Sequence, residues 1–172
     1  MDPVTPINQA VPELDLFDLT GRRHRLQDYL ERVLILNFWS AECPWSERTD
    51  RALLPTLEQW GNRAALLCVA GNAHEPVELL AKTQAERRLP VVLLDPDGAA
   101  ADRYGALTTP HYFVIDAGGI LRYQGAFDDV TFRRREPTRS YLVDAVQAVL
   151  EGRDPDPAEV PPYGCTIVRK LT

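Results

Sequence analysis

Residues 33–47 read Val-Leu-Ile-Leu-Asn-Phe-Trp-Ser-Ala-Glu-Cys-Pro-Trp-Ser-Glu. The beginning of this stretch is nearly all apolar, which is typical of a central strand that is buried on both faces of a sheet. Pro44 follows Cys43, and proline favours the first position of a helix, where its missing N–H is no loss. The pattern therefore predicts a buried strand, a short turn that carries Cys43, and a long helix from Pro44 to about Trp60.

Cys43 would then lie at the N-terminus of that helix. The positive end of the helix dipole and the free backbone N–H groups favour a thiolate there over a thiol. A thiolate is the nucleophile in thiol–disulfide exchange and in peroxide reduction. Cys43 is therefore the candidate catalytic nucleophile.

The same stretch resembles the active-site segment of thioredoxin-fold proteins, in particular the redoxin branch (AhpC/TSA and TlpA-like). Members of that branch usually read Asn-Phe-Trp-Ala-x-x-Cys-Pro-x-Cys. Residues 107–116 resemble the family's cis-proline segment and the strand after it, and residues 118–129 match a third segment. Residues 163–167, Tyr-Gly-Cys-Thr-Ile, resemble the C-terminal Gly-Cys-x-Ile of one peroxiredoxin-like subgroup. The resemblance covers roughly residues 10–168 and implies a thioredoxin fold.

Ser46 departs from the family pattern. Dithiol members carry a resolving cysteine at this position, and a serine hydroxyl cannot attack a mixed disulfide. The Ser46 hydroxyl could still donate a hydrogen bond to the Cys43 thiolate and hold its pKa down. The sequence therefore excludes a Cys-x-x-Cys cycle, while peroxiredoxin-like members with a lone Cys-Pro keep a redox role open.

Two other cysteines remain, at positions 68 and 165. Cys68 lies inside a predicted buried strand and is interpreted as an inert core thiol. Cys165 has two interpretations: a thiol on a C-terminal tail, or a distant resolving cysteine of the kind that some peroxiredoxins carry in a C-terminal arm. The second requires the Cα atoms of Cys43 and Cys165 to lie within about 7 Å of each other.

The resemblance also implies a substrate-docking loop at Thr109 and Pro110. In the family this loop faces the nucleophile, and the backbone before a cis-proline pairs with an extended substrate peptide. Trp45, beside the nucleophile, is open to two interpretations: a core residue, or an aromatic side chain that contacts substrate at the mouth of the site.

The order of predicted elements is that of an α/β protein with a mixed sheet and helices on both faces. A β-hairpin precedes the central strand, and Pro137 is predicted to open the last helix. We predict an N-terminal arm over residues 1–12, a thioredoxin-like domain over 13–152, and a C-terminal tail over 153–172 that carries Cys165. The Pro-rich stretch of this tail, residues 154–162, is predicted to lack regular structure and to lie along the surface.

Composition narrows the function classes. The chain has 172 residues, of which 45% are hydrophobic, and a net charge of −6. An acidic chain is a poor partner for nucleic acid and for anionic membranes. The first residues lack the basic start and apolar core of a signal peptide, so the expected location is the cytoplasm, with export of a longer precursor left open.

The residues around Cys43 bear on several function classes. A peroxidase site of the form Pro-x-x-x-Thr/Ser-x-x-Cys is half present, because Ser40 occupies the hydroxyl position but Leu36 replaces the proline. A metal site would have only Cys43 and His111 as ligands, which is too few, so neither metal nor cofactor is expected. We therefore predict a thiol-dependent oxidoreductase that acts on a thiol or disulfide protein, a small thiol or a peroxide. The alternative is a non-catalytic thioredoxin-like binding module.

Overall fold

The computed structural model describes residues 4–171. A seven-stranded mixed sheet forms the centre of the molecule. Its strands are β1 (Asp15–Asp18), β2 (Arg23–Arg25), β3 (Val33–Trp39), β4 (Ala64–Ala70), β5 (Val92–Leu94), β7 (His111–Ile115) and β8 (Leu121–Gly125). A separate pair joins β6 (Thr108–Thr109) to β9 (Cys165–Thr166). The helices are α1 (Pro44–Trp60), α2 (Val77–Arg87), α3 (Ala99–Tyr104) and α4 (Tyr141–Leu150), with short 3-10 turns at Leu26–Tyr29 and Gly61–Arg63. This is the predicted thioredoxin-like α/β fold.

Strand β3 lies inside the sheet, and all of its residues are buried. It pairs parallel with β4 on one side and antiparallel with β7 on the other. Because side chains alternate along a strand, Val33 and Ile35 enter one hydrophobic cluster, and Leu34 and Leu36 enter a second one. The first cluster packs under α1, α2 and α4, and the second under α3. The continuous apolar run in the sequence is therefore explained by burial on both faces.

The strand order is β2-β1-β5-β4-β3-β7-β8. The predicted N-terminal hairpin is present as β1 and β2, and it joins the sheet through an antiparallel pairing of β1 with β5. The predicted arm lies partly outside the described residues. Within them, Ala10 forms a β-bridge with Ile120, and the Asn8 N–H donates to the Leu121 carbonyl over 2.8 Å. This part of the arm is held against the start of β8.

One prediction about the C-terminal part is wrong. The last helix begins at Tyr141 rather than at Pro137, because Ser140 caps it by accepting a hydrogen bond from the Val143 N–H. The Pro-rich residues 154–162 hold no helix or strand, as predicted. Beyond them, Cys165–Thr166 forms strand β9, and Ile167 is buried with only 7% of its surface exposed.

None of the helices within residues 4–171 is long and apolar enough to span a bilayer.

Candidate active site

Cys43 occupies the N-cap position of α1, directly before Pro44. The strand β3 ends a few residues earlier, so the end of the central strand and the start of the helix fix the position of the thiol. Only 3% of the Cys43 surface is exposed. The predicted turn and helix around Cys43 are therefore present, but the thiol lies beneath other residues rather than at an open helix end.

The structure brings Cys165 onto Cys43. Their Sγ atoms lie 2.6 Å apart. A disulfide joins sulfurs at about 2.05 Å, so a movement of about half an ångström would bring the pair to bonding distance. Both cysteines are free thiols here. The interpretation of Cys165 as a resolving cysteine needed this proximity, and the role itself stays a prediction.

The backbone of the tail explains how Cys165 reaches this position. Strand β9 pairs antiparallel with β6, and the register sets Cys165 opposite Thr109. The preceding residue, Gly164, lies so close to the cis-proline loop that a Cβ there would overlap the Thr109 carbonyl oxygen and come within 3.0 Å of Pro110 Cδ. The absence of a side chain at Gly164 is therefore what allows the tail to approach this loop.

The pKa of the Cys43 thiol lies below its ordinary value. Burial raises this pKa, but hydrogen bonds to the sulfur from the Cys165 thiol and the Ser46 backbone N–H outweigh the effect of burial. These two donors favour the thiolate that thiol–disulfide exchange needs. The buried Thr109 hydroxyl has no hydrogen-bond partner within the described part of the chain.

The pKa of Cys165 shifts in the opposite direction. Burial, the hydrogen bond to Cys43 and the charge of Cys43 together raise it to about 12. The two sulfurs are therefore unequal, because Cys43 has the lower pKa of the pair. Within a Cys43–Cys165 disulfide, Cys43 would be the better leaving group, since a thiol of lower pKa leaves faster.

Ser46 lies beneath the site. Its side chain is fully buried, and its Oγ accepts a hydrogen bond from the Ser40 N–H over 3.4 Å. The Ser46 backbone N–H lowers the pKa of Cys43. Donation from the Ser46 hydroxyl to the thiolate, and substrate docking at Thr109, stay predictions.

The Thr109–Pro110 peptide bond is cis, as the resemblance implied. The Cys43 Sγ lies 3.0 Å from the Thr109 carbonyl oxygen, so the loop faces the nucleophile. Pro110 contacts the tail through its Cδ, at the close approach of Gly164.

His111 anchors this loop, a role that sequence reasoning missed. Its Nδ1 accepts a hydrogen bond from the Leu107 N–H over 3.2 Å, so its Nε2 carries the proton and donates to Gln124 Oε1 over 2.9 Å. The side chain is 1% exposed, and burial lowers its pKa to about 4. A histidine directly after the candidate cis-proline was the available signal, but it was considered only as a metal ligand.

Trp45 is half-buried beside the nucleophile. The Tyr163 ring of the tail packs edge-on against it, with ring centroids 4.9 Å apart. Trp45 therefore contacts the chain's own tail at the mouth of the site, and its predicted contact with substrate stays a prediction.

Cys68 is fully buried in β4, and burial raises its pKa well above the ordinary value, which fits the predicted inert thiol. Within residues 4–171 no group of three or more His, Cys, Asp or Glu side chains is arranged to hold a metal ion.

Comparison with known proteins agrees with this geometry. The sequence profile of the AhpC/TSA family matches residues 7–124, which is more than half of the chain. The chain belongs to the AhpC/TSA family. A curated relative, the thiol-disulfide oxidoreductase ResA of Geobacillus thermodenitrificans, is 32% identical over 119 residues, which is 67% of each chain. This AhpC/TSA member is thus similar to a thiol-disulfide oxidoreductase over about two thirds of its length.

Two solved structures are similar over nearly the whole length. The hypothetical protein SMc02350 from Sinorhizobium meliloti has a TM-score of 0.89 at 26% identity and covers 99% of this chain and 98% of its own. An uncharacterized conserved protein from Geobacillus kaustophilus has a TM-score of 0.89 at 23% identity, with coverages of 97% and 94%. At this coverage, both solved structures also align with the C-terminal tail. The match to ResA covers only about two thirds of each chain and need not include the tail.

Proposed function

We propose that this AhpC/TSA-family protein is a thiol–disulfide oxidoreductase in which Cys43 is the nucleophile and Cys165, not a residue of the Cys43–Ser46 turn, is the resolving cysteine. The observation that carries the proposal is the 2.6 Å distance between the two sulfurs. The opposite pKa shifts of the two thiols support it, because Cys43 has the lower pKa and ionises before Cys165. Similarity to a thiol-disulfide oxidoreductase over the thioredoxin-like body supports the reaction class.

The reaction proceeds in two exchanges. The Cys43 thiolate attacks one sulfur of a substrate disulfide, forms a mixed disulfide and expels the other substrate thiolate. Cys165 then loses its proton and attacks the Cys43 sulfur, which releases the second substrate thiolate and leaves a Cys43–Cys165 disulfide. The substrate gains two electrons, and the two cysteines lose them. An external thiol of the cell must reduce the pair before the next cycle.

Oxidised glutathione provides a direct test, because the two exchanges release one glutathione each. The wild-type protein should release two glutathiones per equivalent and keep none. Cys165→Ser should stop after the first exchange, release one glutathione and gain the mass of the other. Cys43→Ser should release none, and Cys68→Ser, the matched control, should behave like the wild type. Intact-mass spectrometry and a thiol assay measure these outcomes.

Other results would contradict the proposal. If Cys43→Ser releases glutathione as the wild type does, Cys43 is not the nucleophile. If the wild-type protein releases none under conditions where free cysteine reacts, the non-catalytic binding module takes the place of the enzyme.

Peroxide reduction is a second candidate, and the burial of Cys43 favours it. With 3% of its surface exposed, Cys43 is reached more easily by a small hydroperoxide than by a folded protein. The thiolate would attack one peroxide oxygen and expel the other as water or alcohol, and Cys165 would displace water from the resulting sulfenic acid. The rate of Cys43 oxidation by hydrogen peroxide, compared with free cysteine at the same pH, tests this candidate. A rate that does not exceed that of free cysteine would eliminate it.

A further inference from the structure

The C-terminal tail fills the open edge of the cis-proline loop. We call residues 163–169 the docked segment. Within it, β9 pairs with β6, and the Ile167 N–H continues the pairing by donating to the Leu107 carbonyl over 3.4 Å. Other hydrogen bonds fix the end of the segment: Val168 N–H to Asn72 Oδ1 (2.8 Å), Ala73 N–H to the Val168 carbonyl (3.0 Å) and Arg169 Nη1 to the Gly98 carbonyl (3.2 Å). The backbone of the loop is therefore already paired with an extended strand.

The docked segment makes three sequence-dependent contacts around its cysteine. Tyr163, two residues before Cys165, packs edge-on against Trp45. Gly164 is pressed against the cis-proline loop and leaves no room for a Cβ. Ile167, two residues after Cys165, is 7% exposed and belongs to the second core cluster. By contrast, the Thr166 side chain points to solvent. The site therefore accommodates the sequence pattern aromatic-Gly-Cys-x-aliphatic, which residues 163–167 supply.

The docked segment also covers the nucleophile. Cys43 is 3% exposed even though it begins a helix, and the tail residues Gly164 and Cys165 lie directly against Cys43 and the loop that faces it. An extended strand of another protein would need the same edge of β6, because a strand edge pairs with one partner at a time. A protein substrate therefore cannot approach Cys43 along this edge while the segment is docked.

We propose that the docked segment is a built-in occupant of a peptide-docking site, and that the partner which replaces it is an extended protein segment with the pattern aromatic-Gly-Cys-x-aliphatic. This inference rests on the proposed function for its purpose, since the partner's cysteine would take the place of Cys165 opposite Cys43. Binding itself needs no redox chemistry. The tail thus restricts access of protein partners to Cys43, and it covers the thiol itself.

The tail has an advantage over a free partner in competing for this strand edge, because it is tethered to the same chain. A segment on a short linker acts at an effective concentration on the order of millimolar, so a free peptide at micromolar concentration does not displace it. A change that weakens only the tail's own contacts should therefore open the site to a peptide that keeps those contacts.

The experiment uses the full chain with Cys165→Ser, so that no disulfide can hold the tail. The probe is a synthetic peptide of residues 160–169 that carries the same Cys165→Ser change. The readout is the rate at which iodoacetamide alkylates Cys43. We expect slow alkylation in this parent protein and at least tenfold faster alkylation after Gly164→Ala is added. The peptide should restore protection to the Gly164→Ala protein at concentrations that do nothing to the parent.

Matched controls separate docking from non-specific effects. Thr166→Ala changes a side chain of the same segment that faces solvent, and its protein should alkylate as slowly as the parent. A peptide that itself carries Gly164→Ala should fail to restore protection. Ile167→Ala is a second way to loosen the segment, and the unaltered peptide should protect this protein too. Circular dichroism confirms that each protein is folded.

Two results would overturn the proposal. One is alkylation of Cys43 in the parent as fast as in both loosened variants, which would show that the segment does not cover the thiol. The other is failure of the peptide to protect either loosened variant. Because these proteins lack Cys165, the outcome is independent of whether the Cys43–Cys165 disulfide forms, which the glutathione experiment decides.

Discussion

The body of the molecule and its C-terminal tail are held by different means. The body packs two hydrophobic clusters on the faces of a sheet whose central strand is wholly buried. The tail is attached through the short strand β9, hydrogen bonds to the body, the Tyr163–Trp45 contact, the buried Ile167, and close approaches at Gly125 and Gly164. The body carries the thiolate, and the tail carries the second sulfur. The difference indicates that the site is assembled from a stable part and a part that is held more weakly.

A buried ion pair offers the strongest test of the body. Asp50 is 1% exposed, accepts a hydrogen bond from Trp39 Nε1 over 2.8 Å and lies 3.0 Å from Arg87 Nη1. Asp50→Ala would leave a buried guanidinium without its carboxylate, which costs about 3–5 kcal/mol. Urea unfolding should show this loss. The tail's exposed pair of Arg169 with Asp102 is the control, and Asp102→Ala should cost at most about 1 kcal/mol. Equal losses would remove the contrast between body and tail.

The loop that faces the tail should respond to pH through His111. Its pKa in the folded protein, about 4, is below the ordinary value of 6.5. Between pH 6.5 and about pH 4, His111 binds a proton in the unfolded chain but not in the folded protein. The free energy of unfolding therefore falls as the pH falls, by at most about 1.4 kcal/mol per pH unit. His111→Gln should make the unfolding free energy less dependent on pH in this window. His74→Gln, on an exposed loop, is the control; an unchanged slope in His111→Gln would contradict the account.

Gly125 tests the tail from the side of the body. Its φ is +139°, and a Cβ there would overlap the carbonyl oxygen of Val160 in the tail. Gly125→Ala should therefore displace the tail and slow closure of the Cys43–Cys165 disulfide about tenfold, since closure depends on the local concentration of Cys165. The rate of the second glutathione release measures this step. Closure at the wild-type rate would show that this contact does not position the tail.

The unequal sulfurs predict which cysteine an external thiol attacks in the oxidised protein. Cys165 is partly exposed and Cys43 is buried, and the lower pKa makes Cys43 the better leaving group. A limiting amount of a monothiol such as glutathione, followed by acid quenching, should therefore leave the glutathione on Cys165 about fivefold more often than on Cys43. Peptide mass spectrometry counts the two products. A preference for Cys43 would contradict the assigned polarity of the pair.

The sequence predicted the body well because its signals are local. The apolar run before Cys43 defined β3, Pro44 marked the start of α1, and the Thr109–Pro110 motif indicated the cis bond. The contacts of the tail could not be predicted, because they join residues far apart in the chain, such as Gly125 with Val160 and Gly164 with Thr109. Proline-rich composition argued against regular structure over residues 154–162, and none forms there, but it gave no signal for strand β9 just beyond.

The surroundings of the Cys43 sulfur were only partly predictable for a similar reason. Sequence spacing suggested the Ser46 hydroxyl as a donor, whereas the Ser46 backbone N–H lowers the pKa of Cys43 and the Ser46 Oγ accepts from the Ser40 N–H. The Thr109 carbonyl oxygen, 3.0 Å from the sulfur, comes from a segment more than sixty residues later. The family motif placed Thr109 near the nucleophile without indicating this contact.

One measurement tests the central claim, that Cys43 and Cys165 form the redox pair. Trypsin separates Cys43, Cys68 and Cys165 into different peptides, because Arg or Lys lies between each pair. The protein is treated with one equivalent of oxidant, digested without reductant and mapped by mass spectrometry. We expect the Cys43 peptide joined to the Cys165 peptide, with Cys68 free. A Cys43 that stays a free thiol, or is oxidised while Cys165 stays free, would contradict the account.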